Sequence, residues 1–286
     1  MGVSSGKPVL MLLGLGFFAG GCDESGSLPF VPKASASPRS GSAPAVVASV
    51  EQQPRCPEGM ALAGSYCIDR FEAHVVRVDG AAHSPYHPLE EGVSYRARSA
   101  RGVIPQGYIS REEAAKACEV AGKRLCKASE WQRACKGPTG FKYPYGKDEI
   151  RGRCNTHKPH LPAKLFGQQP AGYGPQHLND PRLNREPGFL AQTGQFADCV
   201  SDYGVYDLVG NLHEWVADDV NSALPKKIPI PYGAHNMGKR GNGVFMGGYF
   251  SSQREHGRGC EYVTTHHAPG YHDYSTGFRC CADPNP

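Results

Sequence analysis

Eleven cysteines in 286 residues constrain this chain more than any other feature of its sequence. A reduced cytosolic protein seldom carries so many without the paired spacing of a metal site, and no Cys-x-x-Cys pair occurs. An oxidising compartment and a fold stapled by disulfides follow. The 36 glycines and 24 prolines predict many turns and little long regular structure. A length of 286 residues allows one large domain or two small ones. The net charge of +4 is small for that length, and no run of Lys and Arg occurs, which argues against a nucleic-acid partner.

The N-terminus agrees with export. Lys7 precedes an apolar run, Val9 to Phe18, that is short for a bilayer span. Ala19-Gly20-Gly21-Cys22 follows. The segment resembles a bacterial lipoprotein signal peptide over residues 1–21, with Cys22 as the lipidated first mature residue. That assignment leaves ten cysteines to pair. The alternative is an ordinary secretory signal cleaved nearby, with Cys22 paired or free. Residues 22–55 are rich in Ser, Pro, Ala and Gly, so they bury too little apolar surface to offset their ordering entropy. They read as a disordered tether between membrane and domain.

The folded part begins near Cys56. Cys56 to Cys67 reads as a strand-turn-strand closed by its own two cysteines. Ser110-Arg111-Glu112-Glu113 is a capping box. Ala114, Ala117, Cys118 and Val120-Ala121 then supply an apolar helical face, and Gly122 ends the helix. A second helix runs from about Lys127 to Cys135, with Trp131, Ala134 and Cys135 on one side and both tryptophans expected in the core. Tyr143 to Gly146 and Pro229 to Gly233 read as turns. Residues 156–196 read as a long surface insertion.

Four blocks occur in order along the chain: Ala121-Gly122-Lys123-Arg124-Leu125 with Ser129-Glu130-Trp131; Tyr143-Pro144-Tyr145-Gly146; Gly204 to Trp215; and Gly247-Gly248 closing with Gly277-Phe278-Arg279-Cys280. In that order and spacing they resemble the formylglycine-generating enzyme (sulfatase-modifying factor) family. Cys67 to Glu72 fits the family's opening block. The resemblance covers roughly residues 56–284 and implies a single α+β domain, a C-type-lectin-like variant with few regular elements. It also implies the bridges Cys118–Cys280 and Cys135–Cys260. Cys56–Cys67 is the local expectation. Cys154–Cys199 and Cys126–Cys281 are what remain, and a swap of partners between the 118/280 and 126/281 pairs stays open.

Family members that oxidise a substrate cysteine to formylglycine hold Cu(I) between two thiolates in the loop after the paired glycines. Counted from Gly247 and Gly248, those positions fall on Ser252 and Gly257. Soft thiolate selects Cu(I) and hydroxyl oxygen does not. Cys260 matches the structural cysteine's place instead. The resemblance therefore implies no catalytic cysteine pair and no copper.

The family's calcium site carries over onto the side chains of Asp207 and Glu214 and the carbonyls of Gly210 and Leu212. All are hard oxygen donors. A second calcium site would involve Asn155 and Thr156. His256, His266, His267, His272 and Asp273 could hold another metal, with a polar loop as the plainer reading. Ser252, His256 and Asp273 could be assembled as a hydrolytic triad, although no nucleophile elbow surrounds Ser252. The leading expectation is a monomeric, non-catalytic envelope module for a peptide, protein or glycan. The alternative is an oxidoreductase of this fold acting on a protein or small-molecule substrate with a different metal or different residues.

Overall fold

The computed structural model describes residues 55–285. The expected signal peptide of residues 1–21, the expected lipidation site Cys22 and all but the last residue of the expected 22–55 tether lie outside the described residues. That last residue, Arg55, belongs to the fold, because its backbone exchanges two hydrogen bonds with Asn285. Among the described residues no helix is long and apolar enough to cross a membrane.

Regular structure is short and scattered, as the glycine and proline content predicts. β1 (Met60–Leu62) and β2 (Cys67–Asp69) form the expected strand-turn-strand. β3 (Ala73–Arg77) and β4 (Tyr95–Ser99) make a separate antiparallel pair. α1 (Arg111–Val120) starts at Ser110, and both capping-box bonds are present. β5 (Arg124–Leu125) leads into α2 (Ala128–Lys136), which buries Trp131, Ala134 and Cys135. β6 (His213–Asp219), β7 (Gly243–Met246), β8 (Val263–Thr264), β9 (Thr276–Phe278) and β10 (Cys280–Ala282) complete the chain.

Two four-stranded sheets organise these pieces, in the orders β1-β2-β10-β5 and β8-β7-β6-β9. In the second sheet β6 runs parallel to β9 and antiparallel to β7. Both tryptophans are buried with a partner for the indole N–H, as large amphipathic side chains require. Trp131 donates to Glu214 and Trp215 to the Ile109 carbonyl.

All ten cysteines of the described residues are paired: Cys56–Cys67, Cys118–Cys280, Cys126–Cys281, Cys135–Cys260 and Cys154–Cys199. Adjacent residues on a strand point to opposite faces. Cys280 therefore enters the core cluster that holds Cys118, and Cys281 the cluster that holds Cys126. That placement resolves the open swap.

The 156–196 segment is more than a surface insertion. Its short helical turns bury Leu161 and Leu183, and the bend that follows buries Phe189, against Tyr108, Phe250 and Tyr274, a third core cluster. The scattered apolar residues of this stretch show no helical or strand period, so the contribution was not legible locally.

Candidate functional site

β7 ends in Gly247 and Gly248, with φ of 84° and 73°. A Cβ on Gly247 would lie 2.8 Å from the Leu208 carbonyl oxygen, so the close approach requires glycine. The chain then turns, and the Ser252 amide donates to the Tyr249 carbonyl at 2.9 Å. The Ser252 hydroxyl is buried. It accepts from the Tyr249 amide (3.0 Å) and donates to the Tyr262 hydroxyl (3.2 Å), which in turn donates to Glu255 (3.1 Å). At Gly257, φ is 118° and a Cβ would stand 2.4 Å from the Glu261 carbonyl oxygen. The backbone there is built against a side chain. Cys260 lies in its bridge to Cys135.

A cavity of about 10 Å³ lies against Ser252, with Tyr143, Thr156, His157 and Tyr262 among its walls. It adjoins a cleft of about 410 Å³ lined by Arg151, His157, Gln253, Arg254 and Glu255. His157 and Gln253 line both. His157 has a left-handed backbone (φ 59°), and its amide donates to the Ser252 carbonyl. Its Nε2 meets Glu149 Oε1. Arg254 clasps the other oxygen of Glu149 at 2.6 Å. Burial alone would raise the Glu149 carboxyl, but hydrogen bonds from Arg254 and His157 bring it below its ordinary value. Neither His157 nor Glu149 is marked by a sequence motif; only folding brings them to Ser252.

The histidines singled out in the sequence separate into two places. His256 packs edge-on against Tyr262, and His267 packs against Phe245 and Tyr271. His213, not among the sequence candidates, is buried between Phe245, Tyr249 and Tyr262. Burial holds His213 well below its ordinary pKa, and neighbouring His256 and His267 add to the effect. His272 lies elsewhere, against Asn179. The Ser252–His256–Asp273 triad is not assembled, because Asp273 accepts from Ser275 and Tyr271 while Ser252 bonds Tyr262. Among the described residues no three His, Cys, Asp or Glu side chains converge as a metal-holding group.

The 207–214 loop is set by three left-handed residues: Asp207, Gly210 and Asn211, with φ of 60°, 83° and 59°. Glycine is required at 210, where a Cβ would meet the Asn155 carbonyl oxygen at 2.1 Å. Glu214 accepts from Arg279 through Nε (2.6 Å) and Nη2 (2.7 Å), and from Trp131 Nε1 (2.7 Å). Asp207 accepts from the Gly194 amide at 2.6 Å. The sequence reading missed Glu72, which is wholly buried and accepts from the Leu212 amide and the Asn211 side chain.

Three buried carboxylates therefore face one buried guanidinium. Burial, then the charges of Asp207 and Glu214, drive Glu72 well above its ordinary value. Burial raises Asp207 to about 6. Asn155 sits beside this loop, donating to Phe189 and Asn211, and its Oδ1 is buried with no hydrogen-bond partner.

Residues 69–284 match the family described as the sulfatase-modifying factor enzyme 1-like domain. The chain is 26% identical over 193 residues to the formylglycine-generating enzyme of Thermomonospora curvata, covering 63% of this chain and 56% of that protein. It is 31% identical over 123 residues to the protein of Bos taurus named inactive C-alpha-formylglycine-generating enzyme 2, covering 42% of this chain and 35% of that one. The chain thus spans about half or less of the length of these relatives. PvdO from Pseudomonas aeruginosa has a solved structure that aligns at a TM-score of 0.45 and 18% identity, over 76% of this chain and 80% of that one. The ordered blocks, the paired glycines and the match over 69–284 agree, and the chain belongs to the sulfatase-modifying factor (formylglycine-generating enzyme) family.

Proposed function

We propose that this protein is an exported, lipid-anchored member of the family that keeps the fold, lacks the copper oxidation and serves as a binding or assembly module of the cell envelope. The observation that carries the reading is the pair Ser252 and Gly257, which stand where the resemblance places the copper thiolates. One offers a hydroxyl already engaged by Tyr249 and Tyr262, and the other has no room for a side chain. Cys260 is held in a bridge. These donors do not fit Cu(I), which needs thiolate. That a bovine relative carries the name inactive supports the same reading. Titration of purified protein with Cu(I), and mass spectrometry of a cysteine peptide incubated with it, test the proposal. No stoichiometric copper and no aldehyde are expected; either one appearing overturns it.

Calcium fits the donor set of the 207–214 loop. Asp207 and Glu214 against the one Arg279 guanidinium leave negative charge that a divalent cation balances. Glu214 accepts three bonds, so a carboxylate's roughly four acceptor sites leave one on Oε1. Asp207 and Glu214, with the Gly210 and Leu212 carbonyls, would hold the ion, and the partnerless Asn155 Oδ1 and Thr156 a second one. Bound calcium would supply charge balance to a buried loop and take no part in chemistry. The melting temperature is expected to rise with calcium over chelator, and identical curves would remove both sites. The anchor is tested separately: Cys22→Ser should release the protein from the membrane fraction.

An oxidoreductase using a different metal is the second reading, favoured only by the grouping of His213, His256 and His267 around Phe245 and Tyr262. Stoichiometric iron, copper or zinc in untagged protein would support it over the binding module.

A further inference from the structure

The His157–Glu149 pair leaves one atom unaccounted for. Glu149 is acceptor-only when ionised, so the ring nitrogen that meets it, Nε2, carries the hydrogen. In the neutral ring Nδ1 is then an acceptor. It is buried and has no protein partner. A buried acceptor left unpaired is costly, and the ring is not free to turn away. Arg254 holds Glu149 from behind, and the His157 backbone is tied to Ser252. The adjoining cavity of about 10 Å³ is close to the size of a single oxygen atom or water.

Outside that cavity the 410 Å³ cleft is lined by Arg151, His157, Gln253, Arg254 and Glu255. Every lining side chain is polar, and every one ends in a planar hydrogen-bonding group. The cleft offers none of the aromatic or aliphatic anchors that, together with Arg, carry most protein–protein binding energy. A sugar ring presents neighbouring hydroxyls, each both donor and acceptor, and forked planar groups meet such hydroxyls in pairs.

We propose that the cleft over Ser252 is a carbohydrate-binding subsite, in which one sugar hydroxyl enters the small cavity and donates to His157 Nδ1. The inference rests on the binding-module reading and names its ligand class. Arg151, exposed and outside the Glu149 cluster, and Gln253 meet the hydroxyls further out.

The test is retention of the full chain, in mild detergent, on an immobilised glycan library and in parallel on a library of Ser- and Thr-containing peptides. A glycan that binds is followed in solution with the methyl glycoside of its terminal sugar. Wild-type protein is expected to retain a subset of glycans. His157→Phe should lose that binding at least tenfold, and so should Glu149→Gln. Arg151→Ala, an exposed change that spares the fold, should weaken it severalfold. Thermal melts of each variant separate loss of site from loss of fold. Glycan binding unchanged in Arg151→Ala and in a folded His157→Phe overturns the proposal. Peptides retained in a His157-dependent way, with no glycan retained, also overturn it while the binding-module reading stands. No His157-dependent retention of either kind overturns both at this cleft.

Discussion

Arg279 donates two bonds to Glu214 and one each to the carbonyls of Asp69 and Tyr206, with no exposed surface. Removing one partner of a buried pair strands the other charge. Arg279→Met is therefore expected to cost about 3–5 kcal/mol in urea or guanidinium unfolding. Asp207 gives a pH dependence with a definite sign. Its carboxyl is raised from 3.8 to about 6, chiefly by burial. The folded state thus holds that proton more tightly than the unfolded chain. The resulting stabilisation is full below about pH 4 and is lost as pH rises through about 6. Calcium must displace the same proton, so the calcium-induced rise in melting temperature should be small near pH 5 and larger near pH 7.5. Equal rises at the two pH values would remove Asp207 from the site. Glu72 and Arg279 both lie in blocks quoted from the sequence, yet nothing local says that they share one buried pocket with Asp207.

Among the elements, α1 is the one most fully written in the sequence. Ser110 and Glu113 satisfy each other's amide groups, Ala114, Ala117 and Cys118 face inward, and Gly122 adopts φ 71° just beyond the end. Ser110→Ala should cost about 1 kcal/mol, read as a lower denaturant midpoint with unchanged slope. α2 was equally legible through Trp131, Ala134 and Cys135. The two-residue strands β5 and β8 were not, because they are shorter than any alternation can reveal. Their pairing is set by what lies opposite them: β10 for β5 and β7 for β8. The cleft over Ser252 belongs to this second class. Its walls come from the 149–157 loop and the 251–255 turn, about a hundred residues apart in the chain.

At the scale of the whole molecule, the disulfides fix a loop-rich fold by joining distant segments. Cys118–Cys280 and Cys126–Cys281 span 162 and 155 residues and converge on one strand. Closing loops of that length stabilises by roughly 2–5 kcal/mol per bridge in the chain-entropy account. Because Cys280 and Cys281 face opposite sides, neither replaces the other. In Cys280→Ser, alkylation and peptide mapping should find Cys118 free and Cys126–Cys281 intact. A Cys118–Cys281 bridge in that variant would contradict the two-faced arrangement of β10.

The sequence by itself determined the disulfide-stapled α+β class, the two main helices, the family, and the absence of sulfur at positions 252 and 257. Each is carried by residue identity or short-range spacing, which folding does not alter. The tertiary structure decided which of two adjacent cysteines takes which partner, that residues 156–196 help build the core, and that Glu72 joins Asp207 and Glu214 around Arg279. It also decided that His157, rather than His256, stands beside Ser252 with a nitrogen unpaired. These are meetings of residues far apart in sequence, and they depend on strand facing and close packing that no local pattern encodes.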